Sequence, residues 1–89
     1  MLTTENKFIL IINCPDKEGI IASVSNFLFK RNFNILESSQ FKDTKNNQFF
    51  MRVCFTNIRE LKKFQYNNLQ VDFKKISKKF KMQFNFYDM

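Results

Sequence analysis

The residues most able to do chemistry in this chain stand in one short segment, Cys14-Pro15-Asp16-Lys17-Glu18-Gly19, which holds its single proline and its single glycine. In a sequence so poor in both punctuators, that coincidence marks the most constrained turn. Gly19 allows a ligand to approach the backbone closely, and the start of a following helix offers N–H groups to a carboxylate. Asp16 can pair with an α-amino group. The competing account, which the sequence leaves open, is that Asp16 caps the helix and Gly19 merely makes the turn. Asp16 and Glu18 also form a close carboxylate pair, but no base or metal partner flanks them. Favourable electrostatics at a helix start accounts for both.

Composition narrows the chemistry further. The chain has no His, which removes the commonest general acid–base and the commonest metal ligand together. Cys14 and Cys54 stand forty residues apart with no C-x-x-C, so neither a zinc site nor a disulfide framework is indicated. They are expected to be reduced thiols of a cytoplasmic protein, filling the core as small hydrophobes. No catalytic residue, metal or cofactor is expected. The longest apolar run, Phe8–Ile12, is far shorter than the ~18–20 residues of a membrane span, so no membrane partner is expected either.

Fifteen Lys and Arg against eight Asp and Glu give a net charge of +7, which raises the question of nucleic acid. Twelve of those cations are Lys, and only three are the bidentate, stacking-competent Arg. The cluster from Arg59 to Lys81 reads as a solvated helix face. Any nucleic-acid affinity is expected to be weak, sequence-blind and steeply salt-dependent.

Six elements must position the turn. Lys7–Cys14 is apolar on both alternating faces and β-branched, which predicts a central strand that Pro15 ends. Ile20, Val24, Phe27 and Leu28 recur at helical spacing, predicting a helix from about Glu18 to Asn32. Phe33–Lys42 and Gln48–Thr56 flank the polar turn Asp43–Asn47 and predict a hairpin. In its second strand Phe49, Met51, Val53 and Phe55 share one face, and Phe50, Arg52 and Cys54 the other. Leu69, Phe73, Ile76 and Phe80 predict a helix over Leu69–Phe80, preceded by a short helical turn around Glu60–Phe64. Met82, Phe84 and Phe86 alternate with polar residues in a last strand. Right-handed crossovers on a β-α-β-β-α-β order give an α+β ferredoxin-like βαββαβ plait. It is a four-stranded antiparallel sheet with two helices on one face, and it occupies residues 1–89 as a single domain.

Phe8–Cys14 followed by Pro15-Asp16-Lys17-Glu18-Gly19-Ile20-Ile21, and later Asn34-Ile35, resembles the D-x-x-G-I and N-I marks of ACT domains. The run Asn34-Ile35-Leu36-Glu37-Ser38-Ser39-Gln40, then Phe49-Phe50-Met51-Arg52-Val53, is similar to the N-terminal ACT segment of bacterial formyltetrahydrofolate deformylases. The likeness spans roughly Phe8 to Met82. Two departures stand out: Lys17-Glu18 replaces a common Arg-Pro, and Lys81 stands where a Gly commonly precedes the final strand. The resemblance implies a regulatory module that binds a small amino-acid effector, methionine or glycine, and pairs as a homodimer. It further implies a parent hydrolase converting 10-formyltetrahydrofolate and water to formate and tetrahydrofolate, in one-carbon and purine metabolism. The catalytic formyltransferase-like domain of that hydrolase would be separate or missing.

The effector site expected from these residues takes the ligand carboxylate on N–H groups at Gly19 and Ile20 and its ammonium on Asp16. Ile20 and Ile35 form the apolar sleeve, and Asn34 comes from a neighbouring subunit. The alternatives are a small basic nucleic-acid-binding plait and a vestigial fragment with no ligand. The open sheet face, with Phe50 and either Phe8 or Ile9, carries neither glycine of the K/R-G-F/Y-G/A-F-V-x-F/Y mark of RNA-recognition modules. It reads as an interface.

Overall fold

A computed structural model describes residues 7–57 and 63–88. The elements run β1 (Lys7–Pro15), α1 (Ile20–Lys30), β2 (Phe33–Asp43), β3 (Gln48–Asn57), α2 (Lys63–Phe80) and β4 (Gln83–Asp88). All strand pairs are antiparallel, in the order β2-β3-β1-β4, so the two strands with apolar residues on both faces lie at the centre. This is the ferredoxin-like plait.

Period-two alternation divides β1 and β3 between two surroundings. Phe8, Leu10, Ile12 and Cys14 from β1, with Phe49, Met51, Val53 and Phe55 from β3, are buried in the core with α1 and α2. Ile20, Val24, Phe27 and Leu28 are the buried stripe of α1, and Leu69, Phe73 and Phe80 belong to that of α2. Phenylalanine does much of the packing, largely edge to face as the ring quadrupole favours. Phe55 meets Phe33 at 4.8 Å and Phe86 at 6.2 Å, and Phe73 meets Phe27 at 5.0 Å and Phe86 at 5.6 Å between centroids. Arg31 ties the helices together: its guanidinium lies 3.9 Å from the Phe27 ring centroid and donates to Asp72 Oδ2 at 3.4 Å.

Several boundaries differ from the sequence reading, for local reasons. Helix α1 begins at Ile20 rather than Glu18 because Gly19 takes a left-handed conformation (φ 88°) and acts as the N-cap residue. It ends at Lys30, with Asn32 at φ 65° closing it. Helix α2 is already formed at Lys63, before its apolar repeat becomes visible, and residues 58–62, where part of the expected turn around Glu60–Phe64 fell, lie outside the described residues. It closes with the Met82 N–H donating to the Ser77 carbonyl at 2.8 Å, which leaves Lys81 at φ 56° and delays β4 to Gln83. That six-to-one bond around a left-handed residue is a Schellman closure, whose left-handed position favours glycine. The departure noted at Lys81 therefore falls where glycine's freedom is wanted.

The largest departure is in β2. A bulge between Ile35 and Glu37 inserts Leu36, so Ile35 opposes Phe55 while Glu37 opposes Cys54. An inserted residue reverses the facing of everything after it. Phe33 and Ile35 point toward the helices; beyond the bulge it is Lys42 that shares Phe49's side, and Phe41 turns to the other face opposite Phe50. Cys14 and Cys54 are both buried, but they lie on opposite faces, across from Phe49 and Ile9 respectively.

Candidate functional site

The β1–α1 turn opens into a cavity of about 430 Å³ lined by Asp16, Lys17, Gly19, Ile20, Ile21, Ala22, Gln40, Phe41, Lys42 and Phe49. That volume lies within the range of small-molecule sites. The pairing of Pro15 with Gln48 brings the end of β1 beside the β2–β3 turn, and the Asp16 N–H donates to the Asn47 carbonyl at 2.9 Å. The carbonyl of Gly19 accepts from the Ser23 N–H at 3.0 Å, forming the first helical turn. The first-turn N–H groups of α1 have no partner within the helix and carry its positive end toward this opening.

Asp16 does not cap α1, which has no side-chain cap. Its carboxylate instead forms an ion pair with Lys42 Nζ at 3.0 Å, with both side chains partly open to solvent. Sequence reasoning missed Lys42, because only the bulge at Leu36 turns it to this side of the sheet. The asymmetry of the hairpin was the available signal: Phe33 and Ile35 share odd numbers with Phe41, yet polar Glu37 and Ser39 interrupt the series. Burial pushes the Cys14 thiol above its ordinary value, and the charge of nearby Asp16 adds to the effect.

Gly19 lines the cavity with a left-handed φ of 88°, and a methyl group added there would meet nothing within 4 Å in this chain, so what the fold itself asks of this glycine is its backbone conformation. Ile20 reaches the cavity wall but is buried in the core. Ile35 and Asn34 are elsewhere. They oppose Phe55 and Thr56, while Asp16 follows Pro15 opposite Gln48, so eight residues of β3 separate the two places. At strand spacing that is roughly 27 Å. Ile35 therefore lines no sleeve with Ile20; Phe41 and Phe49 take that position. Asn34 faces the open side of the sheet within this chain.

No family model matches the chain. A curated relative from Bacillus subtilis (strain 168), named formyltetrahydrofolate deformylase, is 41% identical over 81 residues, covering 88% of this chain and 26% of its own length. One from Haemophilus influenzae with the same name is 44% identical over 46 residues. Among solved structures, a formyltetrahydrofolate deformylase from Burkholderia mallei superposes with a TM-score of 0.85 at 28% identity, over 93% of this chain and 28% of its own. An ACT domain protein from Streptococcus pneumoniae does so at 0.79 and 21% identity, covering 96% of this chain and 91% of its own. The chain thus matches about a quarter of the length of the Bacillus and Burkholderia proteins, and an ACT-type plait throughout.

Proposed function

We propose that this ACT-type plait, which resembles the ACT portion of formyltetrahydrofolate deformylases, is an amino-acid-responsive regulatory module. It would confer effector control on the hydrolysis of 10-formyltetrahydrofolate by a catalytic domain outside residues 7–88. The observation that carries the reading is the Asp16–Lys42 ion pair at the mouth of an apolar cavity beside a helix start. A zwitterion can replace that pair with two of its own. Its ammonium takes Asp16 from Lys42, and the released Lys42, with the first N–H groups of α1, takes its carboxylate. Ile20, Phe41 and Phe49 then receive the side chain. Methionine suits such a lining better than glycine, because its unbranched thioether packs favourably on aromatic edges.

Calorimetric titration tests this. Methionine should bind, glycine more weakly, and Asp16→Ala and Lys42→Ala should each weaken methionine by at least tenfold (about 1.4 kcal/mol). Their cost in stability should be small, since partly exposed ion pairs contribute only ~0–1 kcal/mol. Binding that both variants leave intact would put the effector site elsewhere. A homodimer is part of the same reading, as the ACT-type relatives suggest.

A further inference from the structure

Helices α1 and α2 leave a groove between them, a second cavity of about 420 Å³ to which no strand contributes. Ser23, Asn26, Phe27, Lys30 and the C-cap residue Arg31 line one wall. Asp72, Lys75, Ile76, Lys79 and Phe80 line the other. Both sets follow i, i+3, i+4, i+7, i+8 spacing, so one full stripe of each helix faces the groove. Phe27 and Phe80 are buried and Ile76 packs against the core, which makes an apolar floor. Around it stand four cations, Lys30, Arg31, Lys75 and Lys79, against the carboxylate of Asp72.

Two of those cations are held in place. The Arg31 guanidinium lies 3.9 Å from the Phe27 ring centroid, donates to the Phe27 carbonyl at 3.3 Å and donates to Asp72 Oδ2 at 3.4 Å. Those bonds use two of its five N–H donors, and its side chain stays 35% exposed. Lys79 Nζ stands 5.3 Å from the Phe80 ring centroid. A cation already ordered on a ring loses less freedom when an anion arrives. The strand directions make the two helices antiparallel, so Arg31 and Asp72 mark one end of the groove, with Lys30 and Lys75 near them. Ser23, Lys79 and Phe80 mark the other end, about 12 Å away at the helical rise of eight residues.

Charge and shape select the occupant. Four cations against one carboxylate suit a ligand with more than one negative charge, concentrated where Lys30, Arg31 and Lys75 gather. The apolar floor and the volume suit a body larger than a bare anion, since the cavity falls in the range of small-molecule sites. From these observations we infer that the interhelical groove binds a nucleoside phosphate. Its phosphates lie on Lys30, Lys75 and the unused donors of the Arg31 fork, with Asp72 on the other side of the guanidinium. Its base lies on Ile76 and Phe80, and Ser23 and Asn26 offer a hydroxyl and an amide to the polar edge. A nucleic-acid strand is a poorer match, because the groove closes within two helical turns while Lys74 and Lys78 point elsewhere. The inference is independent of the effector reading and uses none of its residues.

Two lysine pairs of equal charge test the groove by calorimetric titration with ADP. ADP should bind below millimolar concentration, with inorganic pyrophosphate and adenosine each about tenfold weaker or worse, because each lacks half of the ligand. Lys30→Ala with Lys75→Ala should weaken ADP by about tenfold or more. Lys74→Ala with Lys78→Ala removes the same charge from outside the groove and should cost less than about threefold, the screened remainder of a general field. All four lysines are exposed, and circular dichroism and melting should report both variants folded. No ADP binding at millimolar concentration would overturn the inference, and equal losses in the two variants would reduce it to a diffuse basic surface. Pyrophosphate binding as tightly as ADP would remove the nucleoside. A short oligoadenylate that binds far more tightly than ADP, and is weakened equally by both pairs, would assign the surface to nucleic acid instead. Methionine should bind both variants as it binds wild type, so the two sites stand or fall separately.

Discussion

The first three residues of β2 and the residues after Glu37 share one strand but not one environment. Phe33 is buried and Ile35 packs against the core under the helices; from Leu36 to Lys42 every residue is exposed. The cause is one inserted residue. Before the bulge, side chains alternate so that apolar groups meet the helical layer. After it, a phenylalanine is delivered to the open face and a lysine to the helix side, beside Asp16. The near half of the strand is there to hold the fold together. The far half surrenders burial to build a cavity wall on one side and part of an apolar patch on the other, with Phe41 contributing to both. Sites drawn from weakly buried segments on a rigid scaffold are the usual arrangement.

Cutting one ring from each surrounding should expose this difference most strongly. Phe55, fully buried opposite Ile35, contacts Phe8, Phe33 and Phe86. Phe55→Ala should cost ~3–5 kcal/mol in chemical denaturation, through lost transfer energy and a cavity that the neighbouring rings cannot fill. Phe41→Ala, on the far half, should stay within ~0.5 kcal/mol of wild type while weakening self-association. Equal costs would mean that the far half is part of the core after all.

Deleting Leu36 removes the bulge but not its consequence. Glu37 then follows Ile35 directly in regular alternation, so Lys42 still opposes Phe49 on the side of Asp16 and Phe41 still opposes Phe50. Methionine binding should survive, with stability within about 1 kcal/mol of wild type. Loss of binding from a folded variant would show that the bulge itself shapes the cavity.

These two tests also mark how far the sequence could be read. Strand order, helix faces and the central position of β1 and β3 follow from periodicity, because burial of Phe8, Leu10, Ile12 and of Phe49 to Phe55 imposes it. The turn at Asp16 and Gly19 is legible because proline and glycine are so rare here. The bulge is not legible: β2 after Ile35 is polar on both faces, and without a buried side no pattern fixes the register. That is why Lys42 was missed and Ile35 was placed in a sleeve it does not line. The start of α2 was hidden for a similar reason, since Gln65, Tyr66, Asn67 and Asn68 show no apolar spacing. Lys81 is the converse case, where comparison with the ACT pattern pointed at a residue whose backbone conformation then proved unfavourable.

Lys81→Gly should accordingly stabilise the protein. A left-handed residue with a side chain costs about 1–2 kcal/mol relative to one without, and the glycine loses part of that gain to unfolded-state entropy. A net gain of about 0.5–1 kcal/mol, read as a rise in melting temperature, should leave methionine binding and self-association unchanged, because Lys81 lies outside both the cavity and the patch. A loss of stability would mean that Lys81 is held in its turn by interactions stronger than its strain.

The smallest effect concerns what holds the far half of β2 in place of burial. Asp43 closes the β2–β3 turn: its side-chain oxygens accept from the Asn46 Nδ2 at 2.9 Å, the Lys45 N–H at 3.2 Å and the Asn46 N–H at 3.4 Å. The Asn46 side-chain bond foremost, then the backbone bonds, lower its pKa from the ordinary 3.8. The sign follows from linkage. A carboxylate with a depressed folded pKa adds stability above its unfolded value, and that contribution is lost as pH falls through the folded value. Protection of the Gln40–Asp43 amides, taken relative to the intrinsic exchange rate at each pH, should therefore fall as the solution is acidified below the ordinary carboxylate range, while Phe33–Ile35 stays protected. Asp43→Ala should give the low protection at every pH and abolish its acid dependence. A proton titration of Asp43 at or above 3.8, or equal protection in both halves of the strand, would remove the turn as the support of the exposed half and leave the pairing with β3 to hold it alone.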